Sequence, residues 1–324
     1  MNTEVVKGFK DYLGKDAEKR EEIRKILVET FESYGFEPAE TPVVEYEEFV
    51  KGDNENTENG KFSVSKTSKR NQEVSEDEAV SDIFKLEDKG KRKLALRYEL
   101  TFQLKRIMKN KKLPYKRYQI GPVFRDEPVQ GNRARQFIAC DADVIGSTIK
   151  DEAEILSLIK TFLDKLGIKF IIYFNNRKLL NEVLDKSGVK EKNREGVIKE
   201  LDKLDKLSEE EVKKNLKKYN AEKVINVLKN KEKYFEQFSS YKEIEELRNY
   251  CKYYGVKIKF LPSLARGLSY YNGNVFEVKS NIKETICGGG SFMFNGIQST
   301  GFGTGLERLE ILSNLKNEKE KFLV

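Results

Sequence analysis

The sequence predicts an α+β fold in which helices flank an antiparallel sheet and a helical segment interrupts it. Three observations carry that reading. Segments such as YKRYQIGPVF and RQFIACDADVIG alternate apolar and polar residues around turn signals, as half-buried antiparallel strands do. The regular alternation of strand and helix that builds a parallel sheet is missing. Between about residues 175 and 253 the composition shifts to Lys, Glu, Leu and Asn at helical spacing.

In chain order, Ile23, Ile26, Leu27, Phe31 and Tyr34 recur at helical spacing over 16–34. YGFEPAETPVVEYEEFV then reads as turn, strand and turn, broken by Pro38 and Pro42. Residues 51–78 are polar, with Gly and Asn, and predict a long hairpin or loop. SDIFKLEDKGKRKLALRYELT and the segment from Tyr115 to Gly146 predict antiparallel strands. A helix over about 151–166, on Ile155, Leu156, Ile159, Phe162, Leu163 and Leu166, precedes the strand IKFIIYF. Strand character returns in VKIKFLPSLARGLSYYNGNVFEVKS. After Gly288–Gly290, GFGTGLERLEILSNL reads as a turn feeding a helix. The expected domains are 1–174 with 254–324, and a helical insertion over 175–253.

Composition narrows the chemistry. The 324 residues carry 61 Lys+Arg against 54 Asp+Glu, a formal charge of +7 that suits a polyanionic partner but is spread among many charges of both signs. No apolar run is long enough to span a membrane and the N-terminus lacks a signal-peptide core, so a soluble, cytoplasmic protein is expected. Cys140, Cys251 and Cys287 are odd in number and far apart, which points to buried free thiols. Histidine is absent, which removes imidazole bases, Ser-His-Asp triads and His-containing metal sites. No metal ligands are expected from His or Cys.

Three constellations stand out. Phe124-Arg125-Asp126-Glu127, on a predicted strand, is followed by a turn and by Arg133, Arg135, Gln136 and Phe137 on the returning strand. Guanidinium forks match phosphate oxygens, and aromatic or guanidinium planes stack on bases. Gly301-Phe302-Gly303-Thr304-Gly305-Leu306-Glu307-Arg308 places an arginine in the first turn of a helix, where the helix dipole does not favour it. The Gly-Lys-Ser/Thr ending of a phosphate-binding P-loop is missing. Arg266-Gly267-Leu268-Ser269-Tyr270-Tyr271-Asn272-Gly273 sets a charge and two hydroxyls beside glycines between predicted strands.

In order and spacing these segments resemble the class II aminoacyl-tRNA synthetases. The strand around Pro42 is similar to the first, dimer-forming motif, FRDE through RQF to the second, and GFGTGLERL to the third. ALRYELT, DADVIG, LDKLDK and LARGLSYYNGNVFEV resemble histidyl-tRNA synthetases in particular, from residue 7 onward. The resemblance implies a class II synthetase-like sheet, ATP with Mg²⁺, L-histidine and tRNA(His) as substrates, and a homodimer. By it, Arg125 would grip the α-phosphate and the amino-acid carboxylate, and Arg133 and Arg308 would hold outer phosphates or stack on adenine. Phe137 would stack on the other face, and Glu127 would complete the ATP site. Glu99 and Thr101, with Leu100 between them, would bind the α-amino group. Asp143, Tyr270 and Tyr271 would line the imidazole pocket, and Arg266 would be catalytic beside Arg125.

Four positions depart from the pattern. Ala139 stands where glutamine is usual, Asp143 where glutamate is, Ser269 where aspartate is, and Ser291-Phe292-Met293 replaces Arg-Tyr-Asp. A buried polar group left unpaired costs about 1 to 3 kcal/mol. The chain also stops at KEKFLV, which resembles the first strand of the family's anticodon-binding domain. A shortened chain, a separately encoded anticodon-binding domain, or a paralogue that reads no anticodon each accounts for that. The alternative function is a non-acylating paralogue such as the regulatory subunit of ATP phosphoribosyltransferase. Retention of Arg125, Arg133, Arg266 and Arg308 favours the enzyme.

Overall fold

The structure is a computed structural model that describes residues 2–51, 82–129, 134–266, 270–282 and 284–315. The predicted loop over 51–78 lies outside these residues except for Lys51. Arg133, the Gly267–Ser269 segment and KEKFLV also lie outside them. The chain divides into two compact units, Met1–Asp143 with Phe294–Gly296 and Gly303–Val324, and Val144–Met293 with Ile297–Phe302.

In the first unit, α1 (Gly14–Ser33) buries Ile23, Leu27, Thr30 and Phe31 on one face, as the spacing predicts. Its early residue Arg20 ties it to α10 (Leu306–Leu312), donating to Glu307 and Glu310 at 2.8 Å each. β1 (Glu37–Pro38) pairs in parallel with β5 (Tyr115–Phe124), which neighbours β6 (Gln136–Ile145). A smaller sheet places β4 (Lys93–Leu96) between β2 (Val44–Tyr46) and β3 (Lys85–Glu87), both antiparallel to it. Beneath it Val50 of α2 (Glu47–Lys51), Ile83, Ala95 and Phe102 form a core, with Phe49 and Tyr98 packed on it. The short α3 (Leu104–Ile107) follows.

The second unit carries β7 (Ile171–Asn176), parallel to β8 (Ile258–Phe260) and antiparallel to β9 (Tyr271–Lys279), which pairs antiparallel with β10 (Cys287–Phe294). α4 (Ile149–Lys165) buries Ile155, Leu156, Ile159, Phe162 and Leu163. Its start is fixed by Thr148, whose backbone N–H donates to Asp151 at 2.8 Å. α5 (Arg177–Lys186) is capped by Asn176, which accepts from Lys178 N and Leu179 N. α6 (Arg194–Leu201), α7 (Glu209–Leu216), α8 (Lys223–Leu228) and α9 (Tyr241–Tyr253) follow, with short 3₁₀ turns between them.

Two sequence readings are corrected. The glycines of GFGTG are not a turn: β11 (Ile297–Gly305) runs through them and feeds α10 directly. Close packing explains the glycine at Gly303, where a Cβ would sit 2.9 Å from Asp141 Oδ1, and at Gly289 of β10, where it would sit 2.1 Å from the carbonyl oxygen of Gly301. Arg125-Asp126-Glu127 is also not on a strand, since β5 ends at Phe124. The three cysteines are buried and free, as expected. Among the described residues no helix is long and apolar enough to cross a membrane.

Candidate functional site

In the first unit the site grows from the connected ends of β5 and β6. Arg125 N donates to Arg135 O at 2.8 Å, which closes the pair and turns both residues out of the strands. The Arg125 guanidinium then lies over the Phe137 ring at 5.2 Å. Its Nε donates to the Tyr98 carbonyl at 3.3 Å, and Glu127 stands 3.9 Å from Nη1. With 42% of its side chain exposed, this arginine keeps donors for a ligand. Gly305, at the start of α10, also lies against Phe137: a Cβ there would be 4.0 Å from the ring. Arg308 is half-buried in that same first turn. The helix is held by Glu307, which accepts from Ile138 N at 3.1 Å as well as from Arg20.

Arg135 does not join this group. It pairs with Asp126, lies over the Phe84 ring at 4.6 Å, and packs its stem against Gly8, where a Cβ would approach Cγ to 2.6 Å. Gly8 sits at φ +86°, a conformation glycine tolerates best. The early KGFKD segment therefore fixes the hairpin rather than the ligand.

The inner half of the same unit is rich in carboxyls. Strand period sets Phe137, Ala139, Asp141 and Asp143 on one face of β6. Ala139 packs with Leu100 and Val123 in an apolar cluster, with Phe137 against it. Asp143 is buried in an ion pair with Arg117, a fully buried residue whose Nη2 also donates to the Leu100 carbonyl at 2.9 Å. Burial raises the Asp143 carboxyl and Arg117 opposes the rise. Burial likewise raises half-buried Glu99, against the pull of Arg125. Asp141 is pushed up to about 7, first by burial and then by Asp143 and Glu99, with Arg117 and Arg125 opposing. Thr101 is half-buried beside Glu99. Asp141 and Arg117 were missed in the sequence. The period of two would have revealed Asp141 between Ala139 and Asp143.

In the second unit Tyr271 opens β9 instead of lying between strands, and is buried. The exposed Tyr270 lies with its ring 4.6 Å from that of Tyr271, hydroxyls 3.5 Å apart, and meets Phe292 edge-on at 5.7 Å. Arg266 donates from Nη1 to Glu277 at 2.9 Å. Burial works against the Arg266 charge, but Tyr271, Glu277 and Tyr270 outweigh it and hold the guanidinium protonated. Glu277 is a third residue the sequence reading missed. A glutamate at a buried position of VFEVK signals a partner for its charge.

The predicted residues thus fall into two groups, each within one unit: Glu99, Leu100, Thr101, Arg125, Glu127, Phe137, Asp143 and Arg308 in the first, Arg266, Tyr270 and Tyr271 in the second. Among known structures, a histidyl-tRNA synthetase from Nostoc sp. PCC 7120 aligns over 95% of this chain and 74% of its own, with a TM-score of 0.76 and 25% identity. A Bacillus halodurans chain described as an ATP phosphoribosyltransferase regulatory subunit/histidyl-tRNA synthetase covers 98% of this chain and 84% of its own at the same TM-score and 20% identity, a likeness of fold. The antiparallel sheet common to these chains is that of a class II aminoacyl-tRNA synthetase. In sequence, histidine--tRNA ligase 1 of Bacillus cereus is 32% identical over 317 residues, covering 90% of this chain and 68% of the relative. With the histidyl-tRNA synthetase profile matching residues 8–77 and 68–309, the chain belongs to that family.

Proposed function

We propose that the chain activates L-histidine with ATP and transfers the histidyl group to tRNA(His). The observation that carries this reading is the half-exposed Arg125 set over Phe137 beside the start of α10, in a chain matched by the histidyl family along most of its length. A histidine carboxylate oxygen attacks the α-phosphorus of ATP, the bond to the β-phosphate oxygen breaks, and pyrophosphate leaves. Negative charge gathers on the transferring group, where fixed guanidiniums stabilise it most. Arg125 would bind the α-phosphate and the carboxylate, and Arg266 would act with it. Arg133 and Arg308 would hold the outer phosphates or stack on adenine, Phe137 would stack on the other face of the base, and Glu127 would complete the ATP site. Mg²⁺, carried in on ATP, supplies further positive charge to those phosphates.

The carboxyl-rich inner half suits a cationic amine: three carboxyls, Glu99, Asp141 and Asp143, face the guanidiniums of Arg117 and Arg125. Glu99 and Thr101, with Leu100 shaping the wall, would take the α-ammonium. Asp143, Tyr270 and Tyr271 would take the imidazole. With no histidine in the chain, the proton of the attacking ribose hydroxyl would pass to a substrate group, a phosphate oxygen of the adenylate or a ribose hydroxyl. Residues 1–174 with 254–324 would form the catalytic domain and 175–253 an inserted helical domain, a division supported by the unbroken run of helices α5 to α9. A cytoplasmic homodimer is the working form we propose. Light scattering that reports a monomer at micromolar concentration ends the dimer part.

The test is ATP–pyrophosphate exchange with each of the twenty amino acids. Exchange specific to histidine supports the reading. Saturable histidine binding with no exchange for any amino acid overturns it in favour of a non-acylating paralogue.

A further inference from the structure

We propose that Glu277 is the positioning residue for Arg266, holding one end of its guanidinium so that the other N–H donors are presented to substrate. The proposal rests on the reading of Arg266 as a group that contacts the reacting phosphate. Its geometry lies wholly in the second unit. Arg266 Nη1 meets Glu277 Oε1 at 2.9 Å, and among the described residues Nε and Nη2 have no hydrogen-bond partner. The carboxylate itself is fixed: Oε2 accepts from Thr285 Oγ1 at 3.1 Å and lies 3.5 Å from Lys279 Nζ. Glu277 is only 7% exposed, so its orientation is set by protein groups rather than by water.

Two further contacts point the same way. Gly288 pairs with Glu277 across β10 and β9, and a Cβ on it would sit 2.5 Å from Arg266 Nη1 and 2.9 Å from Cζ. The missing side chain is therefore what admits the guanidinium beside the carboxylate. Buried Arg177, at the start of α5, donates from Nη1 to the Arg266 carbonyl at 3.2 Å, which anchors the backbone that carries the side chain. Asp202, between α6 and α7, also feels this group. Burial pushes its carboxyl up to about 6, Arg266 opposes that rise and Glu277 adds to it.

The physical consequence is preorganisation. A long arginine free to rotate must be ordered at the moment of reaction, whereas one pinned at Nη1 has lost that freedom on folding. Pinning also keeps the charge in place before substrate arrives, so the effect belongs to the chemical step more than to histidine binding.

The test is a double-mutant cycle read in histidine-dependent ATP–pyrophosphate exchange, using Glu277→Ala, Arg266→Ala and the pair. Glu277→Ala is expected to lower kcat about 10- to 100-fold with KM for histidine changed less than about threefold. In the Arg266→Ala background it is expected to add nothing, because Glu277 acts only through that guanidinium. Glu277→Gln, whose amide oxygen still accepts from Nη1, is expected to recover most of the lost rate. Should the alanine variant not fold, Glu277→Met, close in length but without an oxygen acceptor, replaces it in the cycle. An equal loss from the Glu277 change in both backgrounds, or no loss in the wild-type background, overturns the proposal. Wild-type exchange in Arg266→Ala alone overturns the reading of Arg266, a result distinct from either.

Discussion

The carboxyls of the first unit and the guanidinium of the second are held in opposite ways. Glu99, Asp141 and Asp143 crowd around Arg117 and Arg125, and burial drives all three toward the neutral form. Arg266 is instead matched by one carboxylate that its neighbours lock in place. Three acids beside two guanidiniums leave one acid in excess, so the group suits a further cation, since a bound ammonium relieves the repulsion among its acids. A matched arginine is poised to act on an anion without first being ordered. The same chain thus gathers buried carboxyls in one region and organised positive charge in another.

The largest expected effect sharpens the role of half-exposed Arg125 in the first region. Arg125→Ala removes a donor aimed at developing charge, and exchange is expected to fall about 10²- to 10³-fold with the circular dichroism unchanged. A smaller effect tests the crowding. In the folded chain the Asp141 carboxyl titrates at about 7, against about 3.9 in the unfolded chain. Its contribution to stability is therefore full below about 4 and is lost as pH rises through about 7. Asp141→Asn removes that loss, so denaturation measured at pH 5 and pH 8 is expected to show the variant gaining about 2 to 3 kcal/mol on the wild type over the interval. Glu152, a carboxyl in the second unit pushed up to about 7 by burial, titrates in both chains and cancels from the comparison.

Gly288→Ala breaks the other side. Its Cβ cannot coexist with Arg266 Nη1 where that atom lies, and exchange is expected to fall about tenfold, most of it in kcat. The smallest effect is a control in neither group. Ser208 caps α7, accepting from Glu211 N while its own N–H donates to Glu211 at 2.9 Å. Ser208→Ala is expected to cost about 0.5 to 1 kcal/mol in thermal or urea melts and to leave exchange unchanged.

Much of this was legible in the sequence where local physics decides. The helices predicted over 16–34 and about 151–166 are found at Gly14–Ser33 and Ile149–Lys165, because their apolar faces repeat at the helical period. Phe137 lies beside Arg125 because a hairpin brings its two ends together. The misreadings concern contacts that arise only in three dimensions. The segment from Gly301 to Gly305 looked like a turn, yet it is a strand, and at Gly303 the side chain is missing because a neighbour crowds it: Asp141 Oδ1 would lie 2.9 Å from a Cβ there. The Arg117–Asp143 pair joins residues 26 positions apart on adjacent strands, which no local pattern specifies. Ala139, which stands where glutamine is usual, packs with Leu100 and Val123 in an apolar cluster, a contact the sequence does not specify.

The most direct measurement is a single-turnover reaction of the chain with ATP and histidine, without tRNA, followed by quantification of histidyl-adenylate. The account predicts adenylate in near-stoichiometric amount with wild type, with histidine alone among the amino acids, and its loss in Arg125→Ala. Bound histidine recovered without adenylate, from a chain whose ATP binding is intact, would contradict it.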